Sequence, residues 1–376
     1  MDFSLNDDHL ALRDAVQRFC DGEYPAEHRG QAETPERAAG RWAGMAGLGL
    51  LGLPFPAEAG GSEQGPVEVM LVAQELGRAL GGGAFVASTV MAGQLLTRLG
   101  SAEQQQRWLP GLASGALQAS VALYEDGARY DWQRAALQAR GVAGGHVLNG
   151  RKTGVLHGDS AGLLLVVARS ADRDGLTVFA VDADAPGVRV RGFDTLDNRR
   201  AAHVDFHDVH VEASRVLGAV GQAHAAVEAA LDAATAALCA EAVGVVDALI
   251  VHTAEHLRTR KQFGSPLAKF QVMQHRLADM AIALEQLKSM ACVAALAIDA
   301  PEPAQRRRLV SAAKVLVSQQ GRALGLQAIQ MHGAMGMTDE CRISHFAKRL
   351  LVIGQLFGDA AWHLQHLVSA SRARAT

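Results

Sequence analysis

The spacing of apolar and polar positions divides the chain into three stretches. From residue 4 to 22, apolar side chains recur at helical spacing, with Asn6 or Asp7 placed to cap the start. A weaker helical pattern covers 36–52. Pro54, Pro56 and Gly60-Gly61 then predict a loop, and helical runs follow over Glu63–Leu80 and Val86–Leu99. Ser101 with Glu103 and Gln104 marks another helix start, with its end expected before Pro110. Residues 1–118 therefore predict a helical domain.

Near residue 119 the period changes. Leu163–Arg169 and Leu176–Val181 are short apolar runs that predict buried strands, while Val188-Arg189-Val190 and Val204-Asp205-Phe206 alternate as half-buried strands do. Gly141, Gly144-Gly145, Asn149-Gly150 and Asp184–Gly187 supply turns. The pattern predicts a middle antiparallel β domain over 119–222. After Gly221 the helical period returns. Leu231, Leu238, Ala242, Val245 and Leu249 form one stripe, and Leu277, Met280, Leu284, Leu287 and Ala291 another. Long Ala-rich helices of this kind pack as an antiparallel bundle, here over 223–376, interrupted at Pro301 and Pro303. Ser369–Thr376 is expected to fray. No internal repeat is present, and the fold class is α+β.

Composition narrows the function. A formal net charge of −3 over 376 residues gives no reason to expect a nucleic-acid partner. Arg306-Arg307-Arg308 reads as a solvated helix face. Cys20, Cys239, Cys292 and Cys341 are scattered, so neither a disulfide framework nor a zinc site is expected, and no metal is assigned. The opening MDFSLNDDHLALRD carries no secretory pattern and no uncharged run reaches membrane-span length. A cytoplasmic protein without membrane association is expected.

Three motifs mislead. Gly47-Leu48-Gly49-Leu50-Leu51-Gly52 matches a dinucleotide fingerprint, but a helical run precedes it and prolines follow, so it reads as a helix end and tight turn. Gly158-Asp159-Ser160-Ala161-Gly162 matches a nucleophile elbow and makes a serine hydrolase at Ser160 the outside alternative. An elbow passes from strand to helix, however, and this string runs into a strand. His203, His207 and His210 resemble a metal cluster, yet residues four apart on a strand stand ~13 Å apart, and solvent-facing histidines are the preferred reading.

Arg260-Lys261-Gln262-Phe263-Gly264-Ser265-Pro266-Leu267, continuing to Phe270-Gln271, resembles a characteristic string of the acyl-CoA dehydrogenases. Leu277-Ala278-Asp279-Met280 and Gln330-Met331-His332-Gly333-Ala334-Met335-Gly336-Met337-Thr338 resemble two more. Leu48–Pro54, Glu58–Gly61, Gln74–Arg78, Gly100–Gln104, Trp108–Pro110 and Asn149–Lys152 follow the same family in the same order. The resemblance implies the family's three-part fold, with helices, a β domain and a C-terminal bundle. It implies four helices in that bundle, FAD as cofactor, an acyl-CoA substrate and an electron-transfer flavoprotein as acceptor. It also places Arg260 at the FAD pyrophosphate across a subunit interface, Phe263, Gln271 and Gln330 on the adenosine side, and Gly333 and Gly336 where backbone nears cofactor. A guanidinium suits a diphosphate because its planar fork pairs with phosphate oxygens.

The chain also departs from that pattern. The family's two positions for a catalytic glutamate hold Phe357 and Ala234, neither of which accepts a proton. Asp359 is the substitute base favoured here, and it reads equally well as a helix N-cap. Asp232 and Glu241 are the other nearby acids. On the flavin-ring side, Ala122-Leu123-Tyr124-Glu125, Val155-Leu156-His157 and His256 replace the usual residues. A kept ADP clamp beside an altered ring site suits a catalytically impaired subunit that lends its clamp to a partner. Lys152–Gly158 and Leu356–Asp359 resemble a subgroup of paired subunits associated with dicarboxylic acyl-CoA and steroid side chains. Either a homotetramer or a heterotetramer with a second acyl-CoA dehydrogenase subunit fits the sequence.

Overall fold

The computed structural model describes residues 5–25, 33–170 and 174–375. Within it the chain forms two compact units. One holds Met1–Ala32, Pro66–Gly82 and Thr235–Thr376, and the other holds Glu33–Gly65 and Gly83–Ala234.

The second unit carries the sheet. α2 (Pro35–Gly47) starts at Thr34, whose side chain accepts from the Arg37 amide. Gly49, at φ 71, then turns the chain into a 3-10 segment, Leu50–Gly52. The Gly-rich string is thus a helix end and a turn. A π-helical segment (Val86–Ala92) runs into the short α4 (Gly93–Leu99). α5 (Ala102–Ala113) begins in a capping box between Ser101 and Gln104. This helix does not stop before Pro110. The proline sits in its last turn, and the chain continues helically for only one turn beyond it, which limits the cost of the lost amide donor.

Eight strands follow: β1 (Ala119–Ala122), β2 (Gln138–Val142), β3 (Gly145–Leu156), β4 (Leu163–Ser170), β5 (Leu176–Asp182), β6 (Val188–Asp194), β7 (Arg200–Glu212) and β8 (Val216–Leu217). They order β6-β7-β3-β2-β4-β5-β8, with β1 also on β4. Most pairings are antiparallel, but β1 and β2 both run parallel to β4. The sheet is therefore mixed rather than purely antiparallel. Leu164, Val166, Phe179, Val204 and Phe206 line a fully buried core on it.

The first unit is helical. α1 (Asp7–Glu23) is capped by Asn6, whose Oδ1 accepts from His9 at 2.8 Å. Residue 4, where the helical spacing begins in the sequence, lies outside the described residues. α3 (Pro66–Arg78) crosses α6 (His224–Thr259) backbone to backbone. A Cβ on Gly77 would overlap the Glu241 carbonyl, and one on Gly244 the Gln74 carbonyl, so both crossing points demand glycine. α6 and α7 (Gln271–Ala297) are long and apolar enough to cross a membrane. The most apolar window of α6 is 83% buried by the protein itself, as a core helix is. α8 (Pro303–His332), α9 (Arg342–Gln355) and α10 (Ala360–Ala375) complete the unit. Five helices from α6 onward stand where four were expected. The last one is split at Leu356–Asp359, where Phe357 (φ 58) and Gly358 (φ 119) leave helical geometry. The tail does not fray as expected: α10 stays helical to Ala375, and Thr376 lies outside the described residues.

Two expectations about surface charge fail. Arg306 is buried at 7% exposure and Arg307 and Arg308 are half-buried on α8, a helix against which α7, α9 and α10 all pack. His203 stacks on Phe193 at 4.8 Å instead of facing solvent, while His207 and His210 are exposed. Among the described residues no group of acids, histidines and cysteines could hold a metal.

Candidate functional site

The end of the helical unit where α6 and α8 finish collects the family-like strings. α6 ends at Thr259, and Arg260 follows it, exposed. A tight hairpin then forms, Lys261-Gln262 paired with Ser265-Pro266. Its tip, Phe263-Gly264, has both residues at positive φ (53 and 76). Glycine accepts that conformation freely, but an aromatic residue is strained there. Phe263 is nevertheless 90% exposed, its ring set edge-on to that of Phe270 with centroids 6.0 Å apart. Strain that persists with no packing in return is characteristic of a surface shaped for a ligand or partner.

α8 ends nearby. Gln330 is exposed in its last turn, and Gly333 breaks the helix at φ 67 with open space where a Cβ would stand. A 3-10 turn, Gly333–Met337, leads away. Gly336 is buried, and a Cβ on it would crowd the Ile329 carbonyl at 2.8 Å. Local packing on α8 thus accounts for that glycine. The two helix ends are joined by His256 and His332, whose rings stack at 4.2 Å and 26°. Arg260 and His256 share one turn, and the Arg260 amide donates to the His256 carbonyl at 2.8 Å. Strings far apart in sequence, one bearing Arg260 and the other Gln330 and Gly333, therefore meet here. Gln271 starts α7 a few residues on and is exposed. Among the described residues no carboxylate pairs with Arg260. A free guanidinium, exposed carboxamides and open glycine backbone suit the diphosphate and base of a nucleotide.

The α9–α10 turn differs in every respect. Phe357 is buried at 8%. Lys314 of α8 is fully buried below the turn and donates to the carbonyls of Ile353 and Gly358, both at 2.8 Å. Burial lowers its pKa to about 8, opposed by Cys239 and Asp359. His363 approaches Ser311 Oγ at 3.0 Å. Burial pushes its pKa down to about 3, with Lys314 adding to the shift. Asp359 Oδ1 accepts the Trp362 amide at 2.8 Å, so this carboxylate caps α10. Glu241, on α6, receives both Nε and an Nη of Arg349 at 2.8 and 2.7 Å, the pair only 4% exposed on each side. Ala234 and Asp232 are buried on α6.

In the sheet unit, Leu123 and Glu125 are fixed by Lys152. Its fully buried ammonium donates to Leu123 O at 3.0 Å and Glu125 Oε1 at 2.6 Å, and burial lowers its pKa. Glu125 also accepts the amides of Ala136 and Leu137. Ser160 donates to the His157 carbonyl at 3.1 Å and leads into β4, not into a helix. It borders a cleft of ≈ 560 Å³ with Trp42 and Gln118, and among the described lining residues there is no histidine. The elbow needed by a serine hydrolase is missing.

Models of the acyl-CoA dehydrogenase N-terminal, middle and C-terminal domains match residues 6–116, 120–209 and 221–372. Potato mitochondrial 2-methylacyl-CoA dehydrogenase is 30% identical over 353 residues, covering 89% of this chain and 84% of that protein. The chain belongs to the acyl-CoA dehydrogenase family. It thereby joins oxidoreductases that act on acyl-CoA, a family of flavoproteins, and its α+β architecture is theirs. The human mitochondrial short-chain specific acyl-CoA dehydrogenase is also 30% identical, over 79% of this chain and 73% of its own length. Among solved structures, the Tcur3481-Tcur3483 steroid ACAD, studied as a variant, superposes with a TM-score of 0.86 at 28% identity, covering 98% of this chain and all of that one. The ChsE4-ChsE5 complex of Mycobacterium tuberculosis gives 0.86 at 26%, covering 99% of each chain. Both fit the resemblance to paired subunits.

Sequence reasoning noted His256 only as a departure and missed His332, Arg349, Lys314 and the Lys152–Glu125 pair. His332 lies inside a quoted string, but nothing in local spacing reveals which distant side chain meets it.

Proposed function

We propose that this chain works in the FAD-dependent α,β-dehydrogenation of an acyl-CoA thioester, with electrons passed to an electron-transfer flavoprotein. The supporting observation is the meeting of Arg260 with Gln330 and Gly333 at one end of the helical unit, brought about by the His256–His332 stack. There Arg260 would hold the FAD pyrophosphate, Gln271, Gln330 and Phe263 would line the adenosine side, and Gly333 would let backbone approach. FAD would supply the hydride acceptor. Removal of the α-proton requires a carboxylate, and Asp359 is the candidate, through the oxygen that the Trp362 amide does not take. The reaction belongs in the cytoplasm, within an oligomer of such subunits.

A second reading has its own support. Phe357 and Ala234 are apolar, Glu241 is locked to Arg349, and Asp359 caps a helix. A subunit with that arrangement lends its clamp to the flavin of a partner subunit instead of running the reaction itself. The visible absorption spectrum of the chain purified alone, with a panel of acyl-CoAs added, separates the two. Flavin that bleaches supports the first reading. Little or no flavin, restored by a paired subunit, supports the second.

A further inference from the structure

The clamp end of the helical unit holds more basic groups than Arg260 alone. His256 and His332 stack face to face at 4.2 Å. His332 Nδ1 lies 2.9 Å from the Ala328 carbonyl, so this nitrogen carries the hydrogen and donates, and the neutral ring keeps its lone pair on Nε2. Burial holds both imidazoles below their usual pKa. His332 and Arg260 lower His256 further, while the Ala328 carbonyl partly restores His332. The surrounding charges give no relief. On α6, Glu255 faces His252 at 3.4 Å. The 3-10 turn Gly333–Met337 has no ionisable side chain, and beyond it Asp339 pairs with Lys348 at 2.6 Å. Three basic groups thus lie at the end of the unit that holds the open Gly333 backbone, and among the described residues no carboxylate pairs with any of them.

We propose that His256 and His332 join Arg260 in one anion-binding cluster, which takes up a proton from solvent when the diphosphate of FAD docks. The inference rests on the clamp reading above and adds residues to it. The step is a simple protonation. An imidazole nitrogen gains H⁺, no other bond changes, and the two negative charges of the diphosphate compensate the new cation. Without an anion, a second positive charge within 4.2 Å of its neighbour and next to Arg260 is unfavourable, so in the empty cluster both imidazoles stay neutral. Linkage then fixes the sign: a complex that binds more protons than its components tightens as pH falls. The diphosphate of FAD is a diester with no proton to exchange near neutrality, so pH dependence in this range reports the protein.

The test is FAD binding to the full-length apoprotein, followed by quenching of flavin fluorescence between pH 8 and pH 6. Calorimetry in two buffers of different ionisation enthalpy counts the protons taken up. For the unaltered chain, affinity should tighten several-fold, roughly tenfold at most for one proton per pH unit, with net proton uptake. His256→Phe and His332→Phe keep a ring in the stack and cannot titrate. Each should bind more weakly at pH 6 with a flatter profile, and the double variant should show no uptake. NMR titration of the His256 and His332 ring protons guards against variants that fold poorly: FAD should raise the midpoint of at least one. Tightening that persists in the double variant, or binding without proton uptake, overturns the cluster. Arg260→Ala separates the two ideas. If it weakens FAD binding while the histidine variants behave like the unaltered chain, the clamp stands and the cluster falls. If it changes nothing, the clamp assignment of Arg260 falls instead. Failure to bind FAD at either pH, both alone and with a paired subunit present, overturns both.

Discussion

The two ends of the helical unit solve opposite problems. Where α6 and α8 finish, charge is exposed and uncompensated, an aromatic residue stands strained and bare, and glycine backbone is open. At the α9–α10 turn, charge is buried and paired: Lys314 on two carbonyls, Glu241 on Arg349, Asp359 on a helix amide. Polar groups taken out of water must be matched within the fold, whereas groups left unmatched at a surface remain available for a ligand. The first end is built to receive something. The second has most of its charge matched within the fold.

That contrast can be broken most forcefully at the Glu241–Arg349 pair. Arg349→Met strands a buried carboxylate and should cost about 3–5 kcal/mol in urea unfolding. Adding Glu241→Leu should recover much of the loss, and a single-variant cost below about 1 kcal/mol would mean that this end is not closed. Lys314→Met comes next. It orphans two buried carbonyls and should cost about 2–3 kcal/mol. Its pH signature has a definite sign. The folded pKa of about 8 lies below the usual 10.5, so the unfolded chain binds more protons between those values. The penalty for burying the charge is felt in full below about pH 8 and fades as pH rises toward 10.5. Stability of the unaltered chain relative to Lys314→Met should therefore rise across that window. The smallest stability effect sharpens the role of Asp359. Asp359→Ala should lose about 1 kcal/mol of capping, while Asp359→Asn keeps the cap and should be nearly neutral. If Asp359 is the base, turnover of the asparagine variant falls at least a hundredfold. Unchanged turnover would remove Asp359 from the chemistry.

Much of the fold was legible because it rests on period and punctuation. The shift from helical spacing to apolar runs near residue 119, and back near Gly221, marks where strands begin and end. The Gly47–Gly52 string was readable as a turn from the helix before it. Strand direction was not legible, since a run such as Ala119–Ala122 carries no sign of whether its neighbour is parallel. Arg306 misled for a similar reason. A run of arginines looks solvated until α7, α9 and α10 are seen to pack against its helix. At the candidate site, Arg260, Gln330 and Gly333 were found through family-like strings, and their meeting needed the tertiary structure. Glu241 and Arg349 lie 108 positions apart. His256 and His332 are comparably remote, and no local pattern pairs them.

The most direct test of the account is FAD retention by Arg260→Ala beside the unaltered chain, measured as flavin absorbance per protein after gel filtration. Arg260 is free of any carboxylate partner among the described residues and stands at the open end, so its loss should leave the fold intact and reduce bound FAD at least tenfold, by about 1.4 kcal/mol or more. Equal flavin content in the two proteins would contradict the claim that this end of the unit grips the cofactor.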